Sequence, residues 1–136
     1  MRPITREWVD KAEGDLATTE RECRARKRPN YDGACFHAQQ CAEKYLKGIL
    51  AEAQAAFPKT HDLVDLLDRA LALHPHWEQF REDLAFLSAF GVDVRYPGET
   101  ADKESALDAR RRCRRFRAAA RQALGLEPSD RMLPGF

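Results

Sequence analysis

The chain has 136 residues, enough for one hydrophobic core and too few for two. It carries 23 lysines and arginines against 22 aspartates and glutamates, a formal net charge of +1. With 43% hydrophobic and 33% charged residues, the composition excludes a fully disordered chain and is typical of a soluble globular protein. No apolar run approaches the ~20 residues that span a membrane, and the first residues lack the apolar segment of a signal peptide. We therefore expect a cytoplasmic protein without membrane contact.

Five helical segments are predicted, because apolar residues recur every three or four positions. They cover about residues 5–26, 31–56, 60–73, 76–90 and 101–125. Thr5, Thr60 and Thr100 are the expected N-caps of the first, third and fifth segments. Short connections between successive helices favour an all-α antiparallel, up-and-down bundle over residues 1–125, with a loosely ordered tail at 126–136.

Each predicted helix carries one apolar stripe that should face the core. The stripe positions are Trp8, Ala12, Leu16, Thr19 and Cys23; Tyr31, Ala34, Ala38, Ala42, Tyr45 and Ile49; Leu63, Leu66, Leu67 and Ala70; Trp77, Phe80, Leu84 and Leu87; and Ala106, Ala109, Cys113, Phe116 and Ala120. The four cysteines form no CxxC pair, and neither they nor the four histidines have zinc-ligand spacing. Buried, reduced thiols and no metal or other cofactor are expected.

The second segment also carries a polar stripe made of His37, Gln40, Lys44 and Lys47. Spacings of three, four and three residues place these side chains within about 80° on a helical wheel, opposite the apolar face. Two lysines and two hydrogen-bonding groups could hold a phosphate or a polar protein partner. An ordinary solvated helix face explains the same pattern.

Two basic clusters stand out against the near-zero net charge. One is Arg21, Arg24, Arg26, Lys27 and Arg28, and the other is Arg110, Arg111, Arg112, Arg114, Arg115, Arg117 and Arg121. Arginine offers two parallel donors to phosphate, so one interpretation is a surface for RNA or nucleotide phosphates. Seven arginines on one helix cannot all face one way. The other interpretation is therefore a solvated face, or ion pairs with acids on neighbouring helices.

A loop between the fourth and fifth segments contains Arg95 and Tyr96 directly before Pro97. Proline disfavours helix for the residue before it and so fixes the position of its neighbours. An arginine beside a tyrosine at such a turn can form a binding site. Alternatively, Arg95 pairs with a carboxylate such as Asp93 or Asp15 and pins one end of the bundle. Templates for hydrolytic catalysis or phosphate loops, GxSxG, GxGxxG and GxxxxGK[ST], are absent from the sequence.

Four stretches between about residues 5 and 124 carry motifs of a known protein family, in the order in which that family has them. In order they are the first-helix positions Trp8, Ala12, Asp15 and Leu16, then residues 31–47, 58–63 and 92–97. Together they resemble the HEPN family (higher eukaryotes and prokaryotes nucleotide-binding). The resemblance implies an all-α bundle that usually dimerises. It also implies a small nucleotidyltransferase encoded alongside, in pairs that often act as toxin–antitoxin or nucleotide-handling modules.

Many members of the wider family are metal-independent RNases with an Arg-x4–6-His motif at the entrance to the last helices. There the arginine attracts the scissile phosphate and the histidine transfers protons. Arg95 matches the arginine of that motif, but no histidine follows it in this sequence. Arg69 and His74 have the right spacing, yet they lie on the third helix with their side chains about 140° apart. The missing histidine disfavours RNase activity.

We therefore expect a HEPN-like homodimer without catalytic residues that binds a nucleotidyltransferase partner, a nucleotide or RNA. The expected binding residues are Arg95, Tyr96, Lys44, Lys47, His37 and Gln40, with a basic surface at Arg110, Arg111, Arg114 and Arg115. Two alternatives stay open. One is an RNase toxin in which His37 or His61 stands near Arg95, and the other is a purely structural helical interaction domain.

Overall fold

The computed structural model describes residues 1–92 and 96–128, which form α-helices and one 3₁₀ helix and contain no β-strand. The helices are α1 (Pro3–Arg24), α2 (Tyr31–Glu52), α3 (Leu63–Ala70), α4 (Arg81–Ser88) and α5 (Lys103–Ala123), with the 3₁₀ helix at Pro75–Phe80. Helix α2 lies at the centre and packs against each of the other α-helices. The predicted all-α bundle is confirmed. Within this described part, no helix is long and apolar enough to cross a membrane.

The predicted apolar stripes form the core. Every stripe position is buried except Trp8 and Tyr31, which are partly exposed. The four cysteines are buried and free, as expected. Phe116 joins α5 to the 3₁₀ helix, because its ring meets those of Trp77 and Phe80 edge-on at centroid distances of 5.2 and 5.5 Å. Periodicity therefore found one buried face of each helix. It missed Leu46 and Leu50 of α2 and Val9 of α1, which are also buried in the core.

The segment predicted as one helix at 76–90 is two elements. The first turns form a 3₁₀ helix at Pro75–Phe80, and α4 follows directly. A 3₁₀ helix has three residues per turn, so Trp77 and Phe80 fall on the same side and are both buried. The spacing of three that suggested an α-helix suits the tighter helix equally well.

The predicted N-cap Thr5 is wrong. Helix α1 begins at Pro3, and its N-cap residue Arg2 makes no side-chain capping bond. Proline suits this first helical position because its fixed φ is helical and its missing N–H would have no partner there. Thr5 is instead buried, and its hydroxyl donates to Glu52 at 2.8 Å, which ties the start of α1 to the end of α2.

The predicted N-caps Thr60 and Thr100 are also wrong, each by two residues. Asp62 caps α3, where its carboxylate accepts the N–H groups of Val64 and Asp65. Asp102 caps α5 and accepts the N–H of Ser105 at 2.8 Å. Aspartate is as good an N-cap as threonine, and the prediction considered only the threonines. The aspartate lies nearer the first helical turn, and its negative charge also stabilises that turn through the helix dipole.

Helix α5 ends in a Schellman turn at Gly125. Its φ of +75° lies in the left-handed region that favours glycine, and the N–H of Leu126 donates to the carbonyl of Arg121 at 2.8 Å. Arg121 Nε also donates to the carbonyl of Glu127 at 2.6 Å, and Leu126 packs partly buried against the core. The chain after Gly125 is thus held to the bundle for two more residues. Residues 129–136, most of the predicted loose tail, lie outside the described part.

Candidate functional site

The polar residues of α2 do not form one open stripe. Helix α2 is buried on most of its surface. Lys47 is only 7% exposed, so it does not lie on a solvated helix face, which was one of the two interpretations of the polar stripe. Close packing explains the burial. A Cβ atom on Gly48 would lie 3.2 Å from Cβ of Trp8, so α1 covers α2 at this point. The polar side chains fall into two separate ionic clusters.

The first cluster surrounds Asp15 of α1, which is buried. Its carboxylate meets Nδ1 of His37 at 2.7 Å through one oxygen and Nζ of Lys44 at 2.5 Å through the other. Lys44 and His37 are half-buried. A phosphate bound at Lys44 would have to compete with this carboxylate, which already compensates the ammonium charge.

The second cluster surrounds Glu43 of α2, also buried. One carboxylate oxygen contacts Nζ of Lys47 at 2.9 Å, and the other contacts Nδ1 of His61 at 2.8 Å and Nε2 of Gln39 at 3.1 Å. Burial raises the pKa of Glu43, but the hydrogen bonds from Lys47, Gln39 and His61 outweigh it and hold the pKa below its ordinary value. Glu43 is therefore ionised and compensates the charge of Lys47.

Gln40 belongs to the second cluster through Gln39. Its amide nitrogen donates to Oε1 of Gln39 at 2.7 Å, and Gln39 donates in turn to the carbonyl of His61 at 3.2 Å. The sequence analysis did not single out Glu43 or Gln39. The spacing of four between Glu43 and Lys47 was a usable signal for their ion pair. The pairs of Asp15 with His37 and Lys44 join distant positions and leave no local pattern.

The loop before α5 begins beside α2 and is hydrogen-bonded to α2 at its end. Gly91 lies against Gln39 and His61, where an added Cβ would come within 3.7 and 3.8 Å of their side chains. At the other end, the N–H of Ala101 donates to Asp32 at 2.7 Å. A cavity of about 310 Å³ opens beside Gly91 and is lined partly by His61. Arg95, the residue that matched the family motif, lies outside the described residues.

The predicted turn at Pro97 and Gly98 is confirmed. The N–H of Glu99 donates to the carbonyl of Tyr96 at 3.0 Å, and Gly98 has a φ of +92°. Proline and then a left-handed glycine are the central residues of a type II turn. Among the described residues, Tyr96 at 69% and Val92 at 61% are the most exposed large hydrophobic side chains. The turn thus presents Tyr96 to solvent, and Val92 is exposed at the start of the loop.

Two of the seven arginines of α5 point inward. Arg117 makes a bidentate contact with Glu13 of α1, at 2.8 Å from Nε and 2.7 Å from Nη2. Tyr45 donates to the same carboxylate at 2.5 Å and accepts from Arg121 at 3.0 Å. Burial would raise the pKa of Glu13, but the hydrogen bonds from Arg117 and Tyr45 lower it overall. Burial and the neighbouring Glu13 charge raise the pKa of Tyr45. This network joins α1, α2 and α5.

The remaining arginines of α5 lie above carboxylates from three helices. Glu20 of α1 pairs with Arg110 at 3.6 Å and Arg114 at 2.6 Å. Asp83 of α4 pairs with Arg112 and Arg115, and Asp108 of α5 pairs with Arg111 and Arg112. Ion pairing with neighbouring helices, one of the two interpretations of this cluster, is therefore correct. The predicted basic surface at Arg110, Arg111, Arg114 and Arg115 still lines an open depression along α5.

Comparison with solved structures shows two similar chains. The first is the crystal structure of ST0689, an archaeal HEPN homologue, with 23% identity and a TM-score of 0.71 over 91% of this chain and 99% of that one. The second is TT1696 from Thermus thermophilus, with 27% identity and a TM-score of 0.67 over 87% of this chain and 96% of that one. No curated protein matches the chain. Residues 5–123 match the family model of the HEPN domain. With its helical bundle and a match over most of its length, the chain belongs to the HEPN domain family.

Proposed function

We propose that this HEPN chain is a non-catalytic binding module that associates with a small nucleotidyltransferase encoded alongside it. The pair would act in a toxin–antitoxin or nucleotide-handling system, with the HEPN chain as a homodimer. The observation that carries the proposal is the exposure of Tyr96 on a hydrogen-bonded turn before α5. The end of that loop is hydrogen-bonded to α2, and Val92 is exposed at its start.

Such a loop suits a protein partner for a physical reason. Docking a surface costs the entropy of ordering its side chains and loops, and a backbone already held by a type II turn has less to lose. Tyrosine is enriched in interfaces, since its ring buries apolar area while its hydroxyl keeps a polar contact. We assign Tyr96 and Arg95 as the centre of the contact.

Nucleotide binding by the α2 lysines is less favoured. Lys44 and Lys47 already contact Asp15 and Glu43 at 2.5 and 2.9 Å. A phosphate would gain their charge only by displacing these carboxylates, which would then lose their own compensation. Nucleotide binding would therefore depend mainly on Arg95 and Tyr96, the residues that we assign to the contact with the protein partner.

An RNase toxin is the second candidate, and His61 is the residue that favours it. The His61 side chain is 69% exposed, its Nδ1 contacts the buried Glu43, and it lines the cavity beside Gly91 at the start of the loop. An imidazole oriented by a carboxylate can transfer protons through its other nitrogen. Against this candidate, the sequence has no histidine after Arg95.

The test is co-expression with the product of the neighbouring reading frame, followed by size-exclusion chromatography with light scattering. We expect one complex, with the HEPN chain present as a dimer. Tyr96→Ser should weaken the complex at least tenfold. Leu73→Ser is the matched control, because Leu73 is an exposed hydrophobic residue in the turn that follows α3. An equal loss in both variants, or no loss in Tyr96→Ser, contradicts the assignment. RNA cleavage that disappears in His61→Asn would support the RNase candidate instead.

A further inference from the structure

The outward face of α5 carries a line of charged residues that changes sign halfway along it. Glu104 and Asp108 come first, and Arg111 and Arg115 follow, at spacings of four, three and four residues. At about 100° per residue, these four side chains lie within about 60° of one another around the helix. Glu104, Arg111 and Arg115 are exposed, and Asp108 is half-buried. These four residues form the α5 stripe.

The α5 stripe lies between the two neighbouring helices that flank α5. On one side Arg114 pairs with Glu20 of α1, and on the other side Arg112 pairs with Asp83 of α4. The stripe itself lines the open depression of about 680 Å³ along α5. Within the described part of the chain, the bundle therefore leaves this helix face uncovered.

The charges of the α5 stripe are complementary to those of a second copy. Asp108 and Arg111 are each 1.5 residues from the midpoint of the stripe, and Glu104 and Arg115 are each 5.5 residues from it. A two-fold axis at this midpoint would run two α5 helices antiparallel. Glu104 would then face Arg115 of the second copy, and Asp108 would face Arg111. The symmetry forms each of these pairs twice, so all eight charges meet the opposite sign.

The ion pairs within one chain leave room for these contacts. Arg111 pairs with Asp108 and Arg115 pairs with Asp83, yet their side chains remain 56% and 51% exposed. A guanidinium has five N–H donors, and a carboxylate accepts several hydrogen bonds, so one contact exhausts neither group. Opposite charges that face each other across an interface fix its register and orientation.

Apolar side chains flank the midpoint of the α5 stripe, where an interface needs them. Leu107 and Arg112 are each 2.5 residues from the midpoint, about 4 Å along the helix. Leu107 is half-buried on the side of α1. On the side of α4, the guanidinium carbon of Arg112 lies 4.5 Å from the ring centroid of Phe86, which is also half-buried. Apolar groups near the centre with charges around them are the usual anatomy of an interface.

We propose that two copies of this chain associate through their α5 stripes, antiparallel about a two-fold axis halfway between Asp108 and Arg111. This inference rests on the homodimer of the proposed function and names the surface that forms it. The surface is separate from the partner contact at Tyr96, which lies on the loop before α5.

The first test reverses the charges of the stripe and measures dimerisation by size-exclusion chromatography with light scattering over a range of concentrations. Glu104→Lys with Asp108→Lys makes the stripe wholly basic, and Arg111→Glu with Arg115→Glu makes it wholly acidic. In each variant alone the dimer dissociation constant should rise about tenfold or more, because like charges then face each other. An equimolar mixture of the two should regain the dimer, because every acid again faces a base.

The control for charge is Arg6→Glu with Lys11→Glu, which makes the same reversal at two exposed positions of α1. Its dissociation constant should match that of the unmodified chain. Circular dichroism checks that each variant keeps its helices.

Disulfide trapping tests the register without reversing any charge. Glu104→Cys and Arg115→Cys are made in separate chains, mixed, and oxidised with oxidised glutathione; the natural cysteines are buried. The two positions face each other in the proposed dimer, so the mixture should give a covalent dimer. In either variant alone the two new thiols would be about 16 Å apart along the helices, and no covalent dimer should form.

The outcomes separate this surface from the proposed function. An unmodified chain that is monomeric at every concentration contradicts the homodimer and this surface with it. A dimer that neither charge variant weakens, or that the α1 control weakens equally, overturns the α5 surface alone. A mixture of the two cysteine variants without a covalent dimer does the same. Tyr96→Ser should keep the dimer intact even where it loses the nucleotidyltransferase.

Discussion

The Glu13 network offers a sharp test of how the bundle is held together. Glu13→Ala removes the carboxylate that compensates Arg117 and accepts the hydroxyl of Tyr45. Arg117 is 2% exposed, so its guanidinium then loses the Glu13 carboxylate in a largely dry environment. Removing one partner of a buried ion pair costs about 3–5 kcal/mol. The Glu13 side chain is 21% exposed, which admits some water and favours the lower end, about 3 kcal/mol.

This loss is large enough to measure in a chain of this size. The entropy of unfolding is roughly 2.1 cal/mol/K per residue, or about 0.29 kcal/mol/K for 136 residues. A loss of about 3 kcal/mol therefore lowers the midpoint of thermal unfolding by about 10 °C. The assay is thermal unfolding followed by circular dichroism, with a urea titration to check that the slope m is unchanged. Glu13→Gln should fall between, because the amide keeps one acceptor oxygen.

The matched control is Asp10→Ala, which removes an exposed carboxylate from the same helix. Its midpoint should match that of the unmodified chain. A midpoint for Glu13→Ala within 2 °C of this control would refute the reasoning, since the network would then contribute nothing to stability.

Four further changes test separate parts of the fold by urea unfolding. Gly14→Ala should stabilise α1 by up to about 1 kcal/mol, since a Cβ there meets nothing within 4 Å and alanine favours helix. Gly125→Ala should instead destabilise by about 1–2 kcal/mol because its φ is +75°, and equal effects at both glycines would contradict the Schellman turn. Gly48→Leu should lower the free energy of unfolding by about 1–3 kcal/mol, since even a Cβ there lies 3.2 Å from Trp8. An unchanged midpoint of urea unfolding would mean that α1 and α2 are further apart. The pKa of Glu43 is lowered on folding, so its stabilisation is complete above its ordinary pKa near 4.5 and is lost as pH falls through the lower folded value. In Glu43→Gln the free energy of unfolding should therefore fall less steeply as the pH is lowered below about 4.5. A fall as steep as in the unmodified chain would show that another group causes it.

The sequence predicted the helices and most of the core because both depend on local periodicity. A stripe such as Leu63, Leu66, Leu67 and Ala70 needs only its own helix to define which face is buried. The turn at Pro97 and Gly98 was equally local, since its type depends on two adjacent residues. Helix starts were harder. At α3 and α5 the threonine was predicted as the N-cap, and the aspartate two residues later holds that position.

The candidate site depends on tertiary partners that leave no local pattern. Lys44 was predicted to contact a phosphate or a partner, but Asp15 of α1 pairs with it across 29 positions of the chain. The arginine cluster of α5 could not be divided into inner and outer residues from its own sequence. That division depends on Glu13 and Glu20, which lie two turns apart on α1 and pair with Arg117 and Arg114 respectively.

The central claim is that the HEPN chain binds a nucleotidyltransferase partner through the loop that contains Arg95. Titration calorimetry of the purified chain with that partner tests it most directly, with Arg95→Ala beside the unmodified protein. We expect a saturable complex whose affinity falls at least tenfold in Arg95→Ala, while circular dichroism shows the same helical fold. An affinity that does not change in the correctly folded variant, or no complex with the unmodified chain, would contradict the claim.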